Sequence, residues 1–287
     1  MYMKIAYVTD SGTGKSIAQL AEEGIISVPL QISDESTTYQ DMETLSKNDL
    51  IKLLEEGHTF KTSQPSPGLI EECFSSLKEQ GTDLIVAVPI CNGLSGTAST
   101  MNAIADSLDM KIICVDTYVT AVVQEYILKR IMDCMNSGIS DIDTLLLVDK
   151  IINTTNTLVI PQTLDQLIRG GRLTPMAAKL GRLLRIAPIL QINKSTSGRI
   201  DTLDKVRTFR KALEKAMDEM EKDGVNDGHD DWHVYIAHVD NITDAESLYH
   251  RIQARFPKAH IEIIQLCSPV ACHTGLGSIC LQWFRAL

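Results

Sequence analysis

Apolar and polar positions follow two different rhythms along this chain. Up to about residue 155, short apolar runs alternate with stretches of helical period. KIAYVTD (4–10), ISVPLQI (26–32), DLIVAVPI (83–90) and KIICVD (111–116) read as strands. Helices are predicted over 16–23, 46–57, 68–81, 95–108, 119–135 and 140–155, the second capped by Ser46 and stopped by Gly57. Strands apolar on both faces and separated by helices predict a parallel sheet covered on both sides. Sites in such sheets lie at the strands' carboxyl ends, where Thr9-Asp10-Ser11, CNGLSGT (91–97) and Asp116-Thr117 fall.

Beyond residue 155 the strand candidates are NTLVIP (156–161), PILQIN (188–193), GRIDTLD (198–204), WHVYIAHV (232–239), HIEIIQLC (260–267) and SICLQWF (278–284). Turn residues over 193–199 suit a hairpin. Helical patterns cover 202–222 and 244–255, and EKDGVNDGHDDW (221–232) reads as a polar surface loop. The expected fold is α/β: an N-terminal parallel-sheet α/β domain over 1–155, then a C-terminal α+β domain over 156–287 with a mainly antiparallel sheet.

Composition narrows the function. With 5% aromatic residues, the core must rest on aliphatic side chains. A net charge of −10 disfavours nucleic acid as a partner, since phosphate binding needs concentrated positive surface. The seven cysteines form no C-x-x-C pair, and several sit in apolar runs, as buried thiols of a reducing cytoplasm do. No signal-peptide h-region or membrane-length apolar run is present, so a cytoplasmic protein without stable membrane insertion is expected.

SGTGKS (11–16) imitates a phosphate-binding loop, but that loop needs a glycine where Thr9 stands. The alternative is a strand followed by a helix that Ser16 caps. In KTSQPSPG (61–68), two prolines stiffen a frame carrying Thr62, Ser63 and Ser66. In CNGLSGTAST, Ser95 between Gly93 and Gly96 fits an anion site at a helix N-terminus, a plain helix cap, or an imperfect nucleophile elbow lacking its last glycine. Gly170-Gly171 places Arg172 at a tight turn, in a stretch that also carries Arg169, Arg182 and Arg185. Such an arginine pairs with a structural carboxylate or with an anionic ligand. His273 lies among small residues in ACHTGLGS (271–278), as a ligand-facing loop histidine would. His229 and His233, four apart, sit among helix breakers, so no metal site is expected.

TDSG (9–12), TSQPSP (62–67), GLSGT (93–97), GGR (170–172), PIL (188–190) and HTGLG (273–277), in this order, resemble the DegV family of bacterial fatty-acid-binding proteins. That resemblance implies a long-chain fatty acid in a buried tunnel of the first domain, with the second domain closing the site. Thr62 and Ser95 would bind the carboxylate, with Arg172 and His273 near the head group. Thr9, Asp10, Ser11, Ser63, Gly96, Thr97, Thr274 and Gly275 would support them. It also implies a separate ATP-dependent fatty acid kinase subunit as partner, and a carrier that itself holds no cofactor and no catalytic residue. Departures from the family pattern are Ala187, where Lys is frequent, Leu276, where Pro is usual, and DTYVT (116–120), where Asp116 and Thr120 stand in for Asp-Ser and a small glycine-containing pattern. Lys205, Arg207, Arg210 and Lys211 form either a solvated face or a partner-docking surface. The competing reading is a serine hydrolase or acyltransferase using Ser95 and His273, with Asp116 or Asp10 orienting the histidine.

Overall fold

The computed structural model describes residues 3–179, 186–225 and 228–287, so Arg182 and Arg185 lie outside the described residues. Strands β1 (Ile5–Asp10), β2 (Ile25–Val28), β6 (Leu84–Val88) and β7 (Ile112–Cys114) form a parallel sheet in the order β2-β1-β6-β7. Alternate residues of β1 and β6 face opposite helical layers. Tyr7, Leu84, Val86 and Val88 pack with α5 (Val122–Asn136) and α6 (Asp141–Thr154). Ala6, Val8, Ile85 and Ala87 pack with α3 (Pro67–Glu79) and α4 (Thr97–Ser107). The near-continuous apolar runs follow from this two-sided burial.

One predicted strand divides. Over 26–32 the chain leaves the parallel sheet at Pro29, which lacks the N–H that a ladder requires. It then enters a small antiparallel sheet, β4 (Thr38–Gln40), β3 (Gln31–Ser33) and β5 (Lys61–Ser63), in that order. The proline-framed loop thus begins with a strand that fixes Thr62 against Ile32. Between these strands runs α2 (Lys47–Glu55), capped by Ser46. Ahead of them, α1 (Ile17–Glu22) is capped by Ser16 in a reciprocal pairing with Gln19. That is the capping alternative to the phosphate loop; Lys15 is engaged by Glu23 and Glu125.

The second half forms one six-stranded sheet in the order β10 (Asp201–Val206), β9 (Ala187–Ile192), β8 (Asn156–Ile160), β13 (Ile279–Arg285), β11 (Trp232–His238), β12 (His260–Gln265). All neighbours are antiparallel except β11 and β12. The helix predicted from 202 begins later, because 201–206 pairs with β9; Thr208 caps α9 (Phe209–Lys222). With a period of two, one sheet face carries Leu158, Ile160, Ile189, Val234, Ile236, Leu281 and Trp283, buried under α9 and α10 (Ile242–Arg255). The other face turns toward the first half. Its Phe284 joins the α5 and α6 core, and its Val159, Leu190, Ala237 and Cys280 join a cluster with Ile32, Leu45 and Leu50.

Two contacts lock the halves in place. Gln282 of β13 donates to the Thr120 carbonyl and to Thr157 Oγ1, each at 2.9 Å, and accepts from the Val123 amide at 3.2 Å. Gly93, in the turn after β6, touches the turn between β9 and β10 so closely that a Cβ there would lie 2.1 Å from the Gly198 carbonyl. Gly93→Ala is therefore expected to destabilise the protein by about 1–3 kcal/mol, as forced overpacking against backbone does, measured by denaturant unfolding.

Candidate functional site

Five of the singled-out residues reach the wall of one cavity. Thr62 and Ser63 come from β5, Ser95 from the turn before α4, and Arg172 from the chain between α7 (Asp165–Gly170) and α8 (Pro175–Lys179). His273 comes from the last turn of α11 (Ser268–Thr274). Leu30, Ile90, Leu94, Ile200, Pro269 and Val270 complete the lining. The cavity holds about 440 Å³ of space, part of it open to solvent.

His273 corrects an expectation: it sits on a helix and not on a loop, and only 7% of its surface is exposed. Pro269 within the first turn starts α11 and Gly275 stops it. Thr62 Oγ1 and His273 Nε2 lie 2.7 Å apart, while Nδ1 has no hydrogen-bond partner. Gly170 makes room for the ring, since a Cβ there would stand 2.2 Å from Nδ1. Burial, helped by the Arg172 guanidinium, pushes His273 down to about 4, so the ring is neutral near pH 7.

Arg172 donates only to carbonyls: Gly170 at 2.5 Å, Leu94 at 3.4 Å and Thr62 at 3.4 Å. No carboxylate pairs with it among the described ion pairs. Ser95 Oγ lies 2.8 Å from Thr97 Oγ1, and α4 has Gly96 as its cap residue with no side-chain cap bond. Outside the cavity, Thr62, Ser63, Asn92, Ser95, Gly96, Ser99 and Arg172 border an open polar cleft. A half-buried cation, a neutral imidazole and hydroxyl donors at the rim of an apolar cavity suit one anionic group carrying an apolar body.

Other candidates lie elsewhere. Thr274 is buried beside His273 in sequence, with its hydroxyl unpartnered, and Gly275 packs against Gln166. Thr9, Asp10 and Ser11 do not line the cavity. Asp10 accepts from Gly12 N, Ile90 N and Gln124 Nε2, Thr9 donates to Val88 O, and Ser11 accepts from Leu30 N. Gln124, fully buried, was not singled out in the sequence because, next to Glu125, it reads as part of the polar side of a helix. The lining residue Leu94 was legible only as part of GLSGT.

The serine-enzyme geometry is not formed. Ser95 is bonded to Thr97, and His273 to Thr62. Asp116 accepts from Asn92 N and Tyr118 N, and Asp10 is engaged as above, so neither orients His273. His233 lies in β11, and no cluster of three or more metal-ligating side chains occurs among the described residues. No helix of the described residues is long and apolar enough to cross a membrane.

A second apolar compartment of about 480 Å³ continues from the first, sharing Leu94, Ile200 and Val270 with it. Its wall is the inner face of the six-stranded sheet: Ile192, Thr157 and Val159, Cys280 and Gln282, Tyr235 and Ala237, then Ile264. The enclosed space expected within residues 1–155 is therefore walled chiefly by the second half. The first half supplies Thr62, Ser63 and Ser95 of the polar end, which Arg172 and His273 of the second half complete, and a partial roof of Leu94, Thr120 and Ala121.

These features define a two-part α/β protein with an elongated apolar cavity and an anion-suited end. The chain belongs to the DegV family: the family model described as "Uncharacterised protein, DegV family" matches residues 4–286. A DegV domain-containing protein of Listeria monocytogenes is 30% identical over 287 residues, spanning 99% of each chain. The solved fatty acid binding DegV family protein of Streptococcus agalactiae superposes with a TM-score of 0.87 at 25% identity, covering 99% of each chain. A stearic acid-binding protein of Eubacterium ventriosum superposes at 0.83 with 20% identity, covering 100% of this chain and 99% of that one.

Asp41 is fully buried, with the Ser11 and Ser268 hydroxyls and the Lys47 ammonium as its polar surroundings. Burial raises it from 3.8 to about 6, with Ser11, Ser268 and Lys47 holding the rise down. His273 and Asp41 act oppositely on stability. His273, depressed in the folded state, costs stability as pH falls from about 6.5 to about 4. Asp41, raised in the folded state, costs stability as pH rises from about 4 to about 6. Asp41→Asn is expected to gain on the wild type by about 3 kcal/mol between pH 4 and pH 8, and His273→Gln to gain by a similar amount in the opposite direction. Denaturant unfolding at both pH values checks the two signs.

Proposed function

We propose that this protein binds a long-chain fatty acid, with its tail along the inner face of the six-stranded sheet and its carboxylate at Thr62 and Ser95. Arg172 and neutral His273 border that carboxylate. The observation that carries the reading is a half-buried Arg172 without a carboxylate partner among the described ion pairs, at the rim of an apolar passage. The fatty-acid-binding relatives of the same fold support it.

The energetics suit a carrier. Each buried CH₂ contributes about 0.8 kcal/mol, so about 15 of them supply roughly 12 kcal/mol gross. Ordering the tail and desolvating the head offset much of this. An unpaired buried carboxylate would cost several kcal/mol, so the hydroxyls and the guanidinium are needed. The open cleft over Ser95 and Arg172 leaves the head group reachable from outside, which fits delivery to a separate ATP-dependent kinase subunit. Arg172 would then also meet the larger charge of an acyl phosphate.

Native mass spectrometry of the purified protein, followed by denaturing extraction, is expected to show about one long-chain fatty acid per chain. Arg172→Gln is expected to weaken uptake of added fatty acid about tenfold or more, as loss of a charge-assisted contact does. Protein that carries no lipid and takes up none would overturn the proposal.

A further inference from the structure

The apolar compartment shares its far wall with a second, solvent-open cleft. The inner sheet face places Leu190, Val159, Cys280, Ala237 and Ile264 directly opposite one another across five consecutive strands. The last four of these wall the apolar compartment, three inter-strand steps of about 4.8 Å or roughly 14 Å, most of the length of an extended long-chain tail. It starts beside Ile200 and Leu94 at the head-group end. It finishes at β12, the edge strand of the sheet. There Ala121, Tyr235 and Ile264 wall both the apolar compartment and a broad solvent-open cleft. Ala121 holds this threshold in a backbone conformation unusual for a residue with a side chain, φ +62°.

The cleft is charged. Lys15, Lys129, Glu23 and Glu125 form a closed quartet with N···O distances of 2.5–3.2 Å. Lys47 is different. It is half-buried in the cleft and donates a 3.4 Å hydrogen bond to the Gln265 carbonyl. No carboxylate pairs with it among the described ion pairs. It also stands at the first position of α2, where the positive end of the helix dipole disfavours a cation. Helix stability therefore gives no reason for a lysine here; the buried Asp41 carboxyl nearby, which Lys47 stabilises in its charged form, is one, and an incoming anion is another.

We propose that the acyl passage is open at both ends, and that its second mouth accepts the ω-carboxylate of a long-chain α,ω-dicarboxylic acid at Lys47. This rests on the fatty-acid reading above. A closed apolar tunnel would reject such an acid, because the ω-carboxylate would be stripped of water with no partner. An open, wet mouth with an unpaired cation accepts it. The first carboxylate remains at Thr62, Ser95 and Arg172, and the methylenes fill the sheet face.

The test is competition on the full-length protein, read by native mass spectrometry, between hexadecanoic and hexadecanedioic acid. Wild type is expected to bind the diacid within about tenfold of the monoacid. Lys47→Gln is expected to weaken the diacid about tenfold further while leaving the monoacid within about twofold, and Lys47→Arg to restore the wild-type ratio. Monoacid binding with the diacid more than about tenfold weaker in wild type overturns the second mouth. Equal loss of both acids in Lys47→Gln overturns the role of Lys47. Failure of wild type to bind even the monoacid removes the fatty-acid reading itself, so the two failures are told apart.

Discussion

Everything functional here depends on one packing imbalance. Both faces of the six-stranded sheet are largely apolar, and α9 and α10 fill one of them. On the other, the first half covers the two ends of the surface and bridges the middle. Phe284 docks with α5 and α6 at one end, and Ile32, Leu45 and Leu50 meet the sheet near Val159 and Leu190. Between them the wall of Cys280, Ala237 and Ile264 faces empty space. Interiors normally close such gaps, because a lining without contact partners forfeits dispersion energy. A gap this long and this apolar is therefore a built feature, and an acyl chain is the kind of molecule that would fill it.

Holding that gap open requires a rigid frame, and the frame is polar. Asp10 ties the end of β1 to the end of β6 through the Ile90 amide and to α5 through Gln124. Gln124 accepts from Thr120, and the Thr120 carbonyl accepts from Gln282 of the far sheet. Each member is buried and satisfied, the condition under which a polar network stiffens a core. Thr9 and Asp10, which sit at a strand carboxyl end as a ligand site would, hold the passage in shape from behind. Position at a strand end marks where polar groups converge, and this network shows that convergence serving the scaffold.

The halves, the parallel sheet and the capping role of Ser16 were legible because each has a local cause: a hydrophobic period or a hydroxyl three residues before an amide. The strand after the 193–199 turn was legible from its hairpin residues, but the helix predicted from 202 overran it, because 201–206 is held by pairing with β9. The antiparallel trio β3, β4 and β5 was missed because its three-residue strands carry no period. His273 was read as a loop residue from its glycines, but Pro269 starts a helix just long enough to end at Gly275. Thr62, Ser95, Arg172 and His273, which line the first cavity, stood out as polar residues near glycines and prolines. The apolar compartment did not, since Val159, Cys280 and Ala237 look like any other strand interior. Whether an inward side chain meets a neighbour or a void is decided by the opposing layer.

The electrostatics give the passage a direction. At one end His273 is kept neutral and Arg172 supplies the charge, so the head group meets a single cation whose charge does not change near neutral pH. At the other end the Lys15–Glu125–Lys129–Glu23 quartet is internally balanced, leaving Lys47 as the cleft's unpaired ammonium among the described ion pairs. On the proposed reading, a fatty acid would find one end where its carboxylate meets hydroxyls and a guanidinium together, and another where it meets an ammonium in water. The first would be much the stronger, because charge-assisted bonds gain as solvent is excluded. Orientation of such a ligand would then follow from burial at the two ends more than from the number of charges they carry.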